Sequence, residues 1–334
     1  MLTKIGEIEP AMNNIFFHVT KACNLACKYC YFSARKPMPD EMTAEEILPL
    51  WPEMLELRPR KIVFTGGEPL LKEDLFEMIE GLRESDVDHV VKRCLNTNGH
   101  LMTPAIAARL VGLVDEVRVS LDGLRTNNDS MRGAGNYDSV MEALDCLIEV
   151  GIRPKVLITV TSLTFPDLEE LLLLLRAKGE IDININGFRP IGRGKGKYAW
   201  QIDGLNINEI VARTMEHSDI RISNENDDQS SGPINCGVGT MLNIMPNGDI
   251  FPCHVLTDPQ FRLGNLRKEC ILHICNRYGL LGQLASLNFQ ELAQEDDALK
   301  DLVQPNVCMG NVFAKTESNE TWRKHLPPLG KIRG

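Results

Sequence analysis

A chain of 334 residues, 43% apolar and 25% charged, has enough core for one large domain or for a large domain with an appendage. Its formal charge of -10 argues against a nucleic-acid partner, and its longest apolar run, Leu171 to Leu175, is far short of the ~20 residues that span a bilayer. Ten cysteines with no cationic, apolar leader point to a reducing cytoplasm.

From Ile15 to about Gly187, short apolar or β-branched runs alternate with stretches of helical period, the pattern of βα units around a parallel sheet. The first predicted strand, Ile15 to Val19, runs into Thr20-Lys-Ala-Cys-Asn-Leu-Ala-Cys-Lys-Tyr-Cys30. Cys23, Cys27 and Cys30 in the spacing C-x3-C-x2-C offer three thiolates where a structural metal site needs four. Closely spaced thiolates hold zinc or iron-sulfur clusters, and three of them can cap three corners of a 4Fe-4S cube, leaving one iron open. A disulfide cannot pair all three, and zinc would need a second Cys or His pair that does not follow.

A helix is expected over 43–57, with Thr43 and Glu46 as a capping box and Pro49 and Pro52 weakening its second half. Strand two, Lys61 to Phe64, leads into Thr65-Gly66-Gly67-Glu68-Pro69, which taken alone is a turn before the helix at 73–84. Strand three, Val90 to Asn96, ends in Asn96-Thr97-Asn98-Gly99, and Thr103-Pro104 starts a helix to 112. Strand four, Glu116 to Ser120, ends in Ser120-Leu121-Asp122-Gly123. A helix at 137–150, strand Lys155 to Val160, a helix at 166–178 and strand Ile181 to Asn186 complete six units. In a partial (β/α)6 barrel the cysteine loop and these three polar loops share the C-terminal rim, where reactive groups gather.

Past Gly187 the chain turns basic and glycine-rich, with Arg189, Arg193, Lys195 and Lys197 either meeting a bound cofactor or an anionic substrate or forming a solvated loop. A polar linker near 223–234 is expected to separate residues 1–222 from a smaller unit at 235–334. That unit reads as a hairpin, Met241 to Met245 and Ile250 to Cys253 around Pro246-Asn247-Gly248-Asp249, then helices near 266–276 and 278–294. Cys270 and Cys275 in the first of these helices, Cys94 in a strand and Cys146 in a helix read as core residues.

The ordered set Cys23, Cys27, Cys30, Gly66-Gly67-Glu68, Thr97-Asn98-Gly99 and Ser120-Leu121-Asp122-Gly123 resembles the radical S-adenosylmethionine (SAM) superfamily over roughly 200 residues. The resemblance implies a 4Fe-4S cluster on Cys23, Cys27 and Cys30, with SAM chelated at the open iron. It assigns Gly66, Gly67 and Glu68 to the methionine amino group, and Ser120, Asp122 and Asn98 to the ribose and carboxylate. It also assigns Arg132 to the SAM carboxylate and Tyr29 to the adenine side, against caps, turns, surface charge or core packing as the ordinary roles of such residues.

Cys236 to Cys253 is similar to the opening of a SPASM or twitch extension, but the dense cysteine run that normally follows is missing. One auxiliary cluster on Cys236, Cys253 and Cys308, with a fourth position open, is the expectation, and a twitch-like fold without a cluster the alternative. The implied activity is reductive SAM cleavage and hydrogen abstraction in maturation of a ribosomally made peptide. The alternatives are a small-molecule dehydrogenase, decarboxylase or epimerase, and a noncatalytic electron carrier or sensor. Partners would be a flavodoxin- or ferredoxin-type donor and, with 14 residues ahead of the first strand, a separate leader-recognition protein or none.

Overall fold

The computed structural model describes residues 12–202, 204–215, 222–224 and 239–276. Six parallel strands follow the expected order: β1 (Asn14–Thr20), β2 (Lys61–Gly66), β3 (Lys92–Thr97), β4 (Glu116–Ser120), β5 (Lys155–Val160) and β6 (Asp182–Gly187). Beyond β6 lies β7 (Ile222–Asn224), also parallel. On the other edge β8 (Met241–Ile244) pairs parallel with β1, and β9 (Asp249–Phe251) and β10 (Gly264–Asn265) continue antiparallel. These described strands form one sheet open at both edges, a partial barrel of the α/β class.

The helices are α1 (Ala44–Ile47), α2 (Trp51–Glu56), α3 (Leu75–Ser85), α4 (Pro104–Leu110), α5 (Arg125–Arg132), α6 (Asn136–Glu149), α7 (Leu168–Lys178), α8 (Gly204–Met215) and α9 (Ile271–Asn276). Strand side chains alternate strictly between two faces. Ile15, Phe17, Val19, Ile62, Phe64, Val117, Val119, Val156, Ile158, Ile183 and Ile185 belong to the apolar core. Trp51 of α2 seats there edge-on to Phe17 and Phe64, and its indole N–H donates to Met78 O at 3.0 Å. The opposite face carries His18, Thr65, Asn96, Arg118 and Asn243, with His18 in register with Thr65 and Asn96 with Arg118. Buried polar groups need partners, so a face of this kind lines the interior of a barrel that binds something.

At the starting end of the strands that face is ionic. Glu116, 7% exposed, takes Arg118 Nε at 2.5 Å, Lys92 Nζ at 2.6 Å and Lys155 Nζ at 3.2 Å. Burial works against its charge, yet Arg118 and the two lysines outweigh it and hold the carboxyl at about 2.

Several sequence expectations are corrected. The helix at 43–57 breaks into α1 and α2 around a tight turn, Leu48–Leu50, because Pro49 lacks the N–H that would continue it. Strand three begins at Lys92, with Val90 75% exposed ahead of it. Two further helices, the polar α5 and the amphipathic α8, whose Ile207 and Ile210 join the core, lie outside the sequence expectation. Ser223 and Asn224 belong to β7 rather than to a linker. The helix near 266–276 is confined to 271–276, which leaves Cys270 exposed instead of in the core; Cys275 and Cys94 are buried and Cys146 half-buried. The helix at 278–294 lies outside the described residues. Among the described residues no helix is long and apolar enough to cross a membrane.

Candidate functional site

The loop after β1 is closed on itself and stitched to the loop after β2. Ala22 bridges Arg35, Cys23 N donates to Arg35 O at 3.2 Å and Arg35 N to Lys21 O at 3.0 Å. Gly67 N and Glu68 N donate to Thr20 O and Ala22 O, both at 2.8 Å. Only glycine permits this approach: a Cβ on Gly67 would lie 1.9 Å from Ala22 O, and one on Gly66 2.3 Å from Thr20 O, at a φ of 133°.

Cys23, Cys27 and Cys30 are free, half-buried thiols. Burial pushes the Cys23 thiol up to about 11, with Glu68, Cys27 and Cys30 adding to the shift, so the three sulfurs lie within one another's field. Burial also raises Cys27, against the pull of Arg132 and Arg193. Among the described residues no three His, Cys, Asp or Glu side chains close to the spacing that a single metal ion needs. A cube spreads its thiolates farther apart. One orphan atom supports a bound group: Asn24 accepts from Asn98 Nδ2 at 2.8 Å, while its own buried Nδ2 has no partner among the described residues. A donor left over beside three thiols suits sulfide, thiolate or carboxylate, so the donor set fits a 4Fe-4S cluster with SAM.

Glu68 is fully buried and its carboxylate is spent inside the chain, accepting Thr97 Oγ1 and Asn98 N at 2.7 Å and Leu70 N at 3.3 Å. Burial pushes it up to about 7 against those bonds. Its carboxylate therefore holds the loop after β3, and its backbone is also engaged, Glu68 O accepting Leu71 N at 3.0 Å, so a ligand here would be met by the carbonyls of the glycines. Asn98 in turn reaches toward Cys23 Sγ at 3.9 Å and accepts Asn136 Nδ2 on its carbonyl at 3.1 Å.

Past β4, Asp122 is wholly buried and accepts from Arg132 through Nε at 2.6 Å and Nη2 at 3.0 Å, from Thr159 N at 2.9 Å and from Tyr29 OH. All four acceptor positions of the carboxylate are filled. The Arg132 guanidinium also stands over the Tyr29 ring at 5.6 Å, and burial raises the Tyr29 phenol. Asp122, Arg132 and Tyr29 thus form one unit against Cys27, tied also by Lys28 N to Met131 O at 2.8 Å. Ser120 sits half-buried at the end of β4.

The sequence offered no role for Asn24, Asn136 or His18. His18 joins β1 to β8 through Asn243 Oδ1 at 2.6 Å, its imidazole pushed down to about 3 by burial. After β9, Cys253 is buried, its sulfur accepting Val255 N at 3.4 Å, and the neighbouring His254 ring lies 5.5 Å from Tyr31 in the cysteine loop. Cys236 and Cys308 lie outside the described residues.

Residues 17–177 match the family model of the radical SAM superfamily. Mycofactocin maturase MftC of Mycolicibacterium smegmatis is 27% identical over 308 residues, 86% of this chain and 72% of that one. An AdoMet-dependent heme synthase of Oleidesulfovibrio alaskensis is 32% identical over 208 residues, but these cover 60% of this chain and 52% of the synthase. Among solved structures, Streptococcus suis SuiB bound to precursor peptide SuiA superposes with a TM-score of 0.70 at 17% identity, covering 83% of this chain and 67% of SuiB. AnSMEcpe with bound AdoMet gives 0.67 at 18% identity, covering 86% and 87%. At such identities the structures establish the shared fold.

Proposed function

We propose that this chain, whose residues 17–177 match the radical SAM superfamily, uses SAM to modify a ribosomally made peptide. When bound, a 4Fe-4S cluster and SAM supply an electron and a 5'-deoxyadenosyl radical that takes a hydrogen atom from the substrate. Cys23, Cys27 and Cys30 would hold the cluster. Gly66 and Gly67, with backbone exposed by their lack of side chains, would present carbonyls to the methionine ammonium. Arg132, locked by Asp122, would offer its remaining donors to the SAM carboxylate, and Tyr29 would orient that pair from the adenine side. Asn98, positioned by Glu68, and Ser120 would complete the cofactor contacts.

The observation that carries the peptide reading is the likeness to SuiB, solved with its precursor peptide SuiA, over 83% of the chain, joined by the likeness to mycofactocin maturase MftC over 86%, reaching past the radical SAM domain into β8 to α9. The heme synthase match favours a small-molecule substrate as the second reading. Cys253, buried beside the rim, supports an auxiliary cluster completed by Cys236 and Cys308 in a SPASM- or twitch-like extension. Such a cluster would accept the electron left on the substrate. Iron near eight per chain supports it and iron near four removes it. The test of function is mass spectrometry of a short precursor encoded beside this gene after incubation with reconstituted enzyme, SAM and reductant. Loss of hydrogen or gain of a crosslink is expected; an unaltered peptide with turnover of a small cofactor precursor instead would overturn the peptide reading.

A further inference from the structure

The loop after β6 reaches across the rim and caps the carbonyls of the cysteine loop. Arg193 Nε donates to Cys27 O at 2.8 Å, Arg193 Nη1 to Ala34 O at 2.7 Å and Arg193 N to Cys30 O at 3.0 Å. Lys197 Nζ adds a bond to Lys28 O at 2.8 Å, its ammonium held 4.3 Å over the Trp200 ring. The fit demands glycine on both sides of the arginine. Gly192, at a φ of 56°, would place a Cβ 2.3 Å from Tyr31 O and 2.4 Å from Cys30 O, and a Cβ on Gly194 would meet the Phe188 ring at 2.7 Å. Gly192-Arg193-Gly194 is therefore shaped for this contact, whereas a solvated basic loop would need neither glycine.

The charges differ in kind from that of Arg132. Arg132 is neutralised by Asp122, but every partner of Arg193 is a backbone carbonyl, and among the described residues no carboxylate pairs with it. A carbonyl orients a guanidinium without cancelling its charge. An uncompensated cation fixed against the backbone of two cysteines favours added negative charge at that place, and a cluster gains one unit of it on reduction.

We propose that Arg193 is a positioning residue that fixes the cysteine loop around the cluster and raises the cluster's reduction potential through its unpaired charge, with Lys197 as a weaker second contributor. This rests on the cluster assignment above. It adds a requirement from β6, more than a hundred and fifty residues from the cysteines it serves. Arg193→Lys keeps the charge but cannot span both Cys27 O and Ala34 O; Arg193→Gln removes the charge.

The test is EPR-monitored redox titration of anaerobically reconstituted full-length protein, without substrate, alongside iron and sulfide analysis and thermal melts of the iron-free chains. Wild type is expected to bind iron. At a fixed poise near the wild-type midpoint, R193Q is expected to show an about tenfold lower ratio of reduced to oxidised cluster, a shift of about 59 mV to lower potential for a one-electron couple. R193K should stay near the wild-type potential with lower iron content, and K197Q should shift the potential in the same direction by less. A midpoint in R193Q and K197Q equal to wild type overturns the proposal. If R193Q fails to fold, K197Q decides it: a lower midpoint supports the proposal, and a midpoint equal to wild type overturns it. Wild type that binds no iron defeats the cluster assignment instead.

Discussion

Gly67→Ala is the sharpest perturbation of the site because it adds a single CH2 and leaves every ligand in place. A Cβ at this position would stand 1.9 Å from Ala22 O, and contacts under 3.0 Å are essentially never seen, so the Ala22 carbonyl must retreat by about 1 Å. Ala22 immediately precedes Cys23, and its retreat breaks the Glu68 N to Ala22 O bond and strains Gly67 N to Thr20 O. Two backbone bonds at about 1 kcal/mol each, with an overpacking penalty of about 1–3 kcal/mol, give a loss of roughly 3–5 kcal/mol. Urea unfolding of the iron-free chain measures this, and iron and sulfide content after reconstitution measures the consequence for the cysteine loop, which should lose most of its iron. Gly187→Ala, whose Cβ would meet nothing within 4 Å, is the control and should change stability by less than about 0.5 kcal/mol. Wild-type stability and iron content in Gly67→Ala would refute the close-approach argument.

Other perturbations test the electrostatics. Arg132→Met leaves the Asp122 carboxylate buried with only Tyr29 OH and Thr159 N, and should cost about 3–5 kcal/mol in chemical denaturation at neutral pH. Asp122→Asn in the same background should recover part of that loss. Glu116, held at about 2 in the fold, contributes stability above pH ~4.5 that disappears as pH falls toward 2, on the order of 3 kcal/mol; Glu116→Gln should flatten this acid limb. Glu68 has the opposite sign, because its folded carboxyl is raised to about 7: its contribution is complete below pH ~4.5 and is lost as pH rises through 7. Denaturation of the iron-free chain between pH 5 and 8 should show stability falling with pH in wild type and a shallower fall in Glu68→Gln.

What the residues disclosed and what they withheld follows from range. The cysteine triplet and the three strand-end loops were legible because each is a local pattern, and β1 to β6 alternate apolar side chains with period two. The Gly-Gly pair was readable as a close approach but not as an approach to Thr20 and Ala22, since that depends on β1 and β2 lying side by side in register. Helix α5 is hidden in the sequence because its inward face has one apolar residue, Met131, beside Asn128 and Arg132, whose polar partners lie elsewhere. Asp122 and Arg132 were singled out as cofactor contacts; the fold shows that they first satisfy each other. Arg193 was visible only as one cation in a basic stretch, because its contacts reach back across the sheet to Cys27 and Ala34. Cys270 was misplaced because the helix around it starts only at Ile271.

The central claim is that three cysteines hold a cluster whose open iron takes SAM and cleaves it. Chromatography with mass detection of 5'-deoxyadenosine, from anaerobically reconstituted protein given SAM and dithionite, tests it most directly. The account predicts 5'-deoxyadenosine from wild type and none from Cys27→Ala. Wild type that binds four irons yet forms none, with SAM intact, would contradict it.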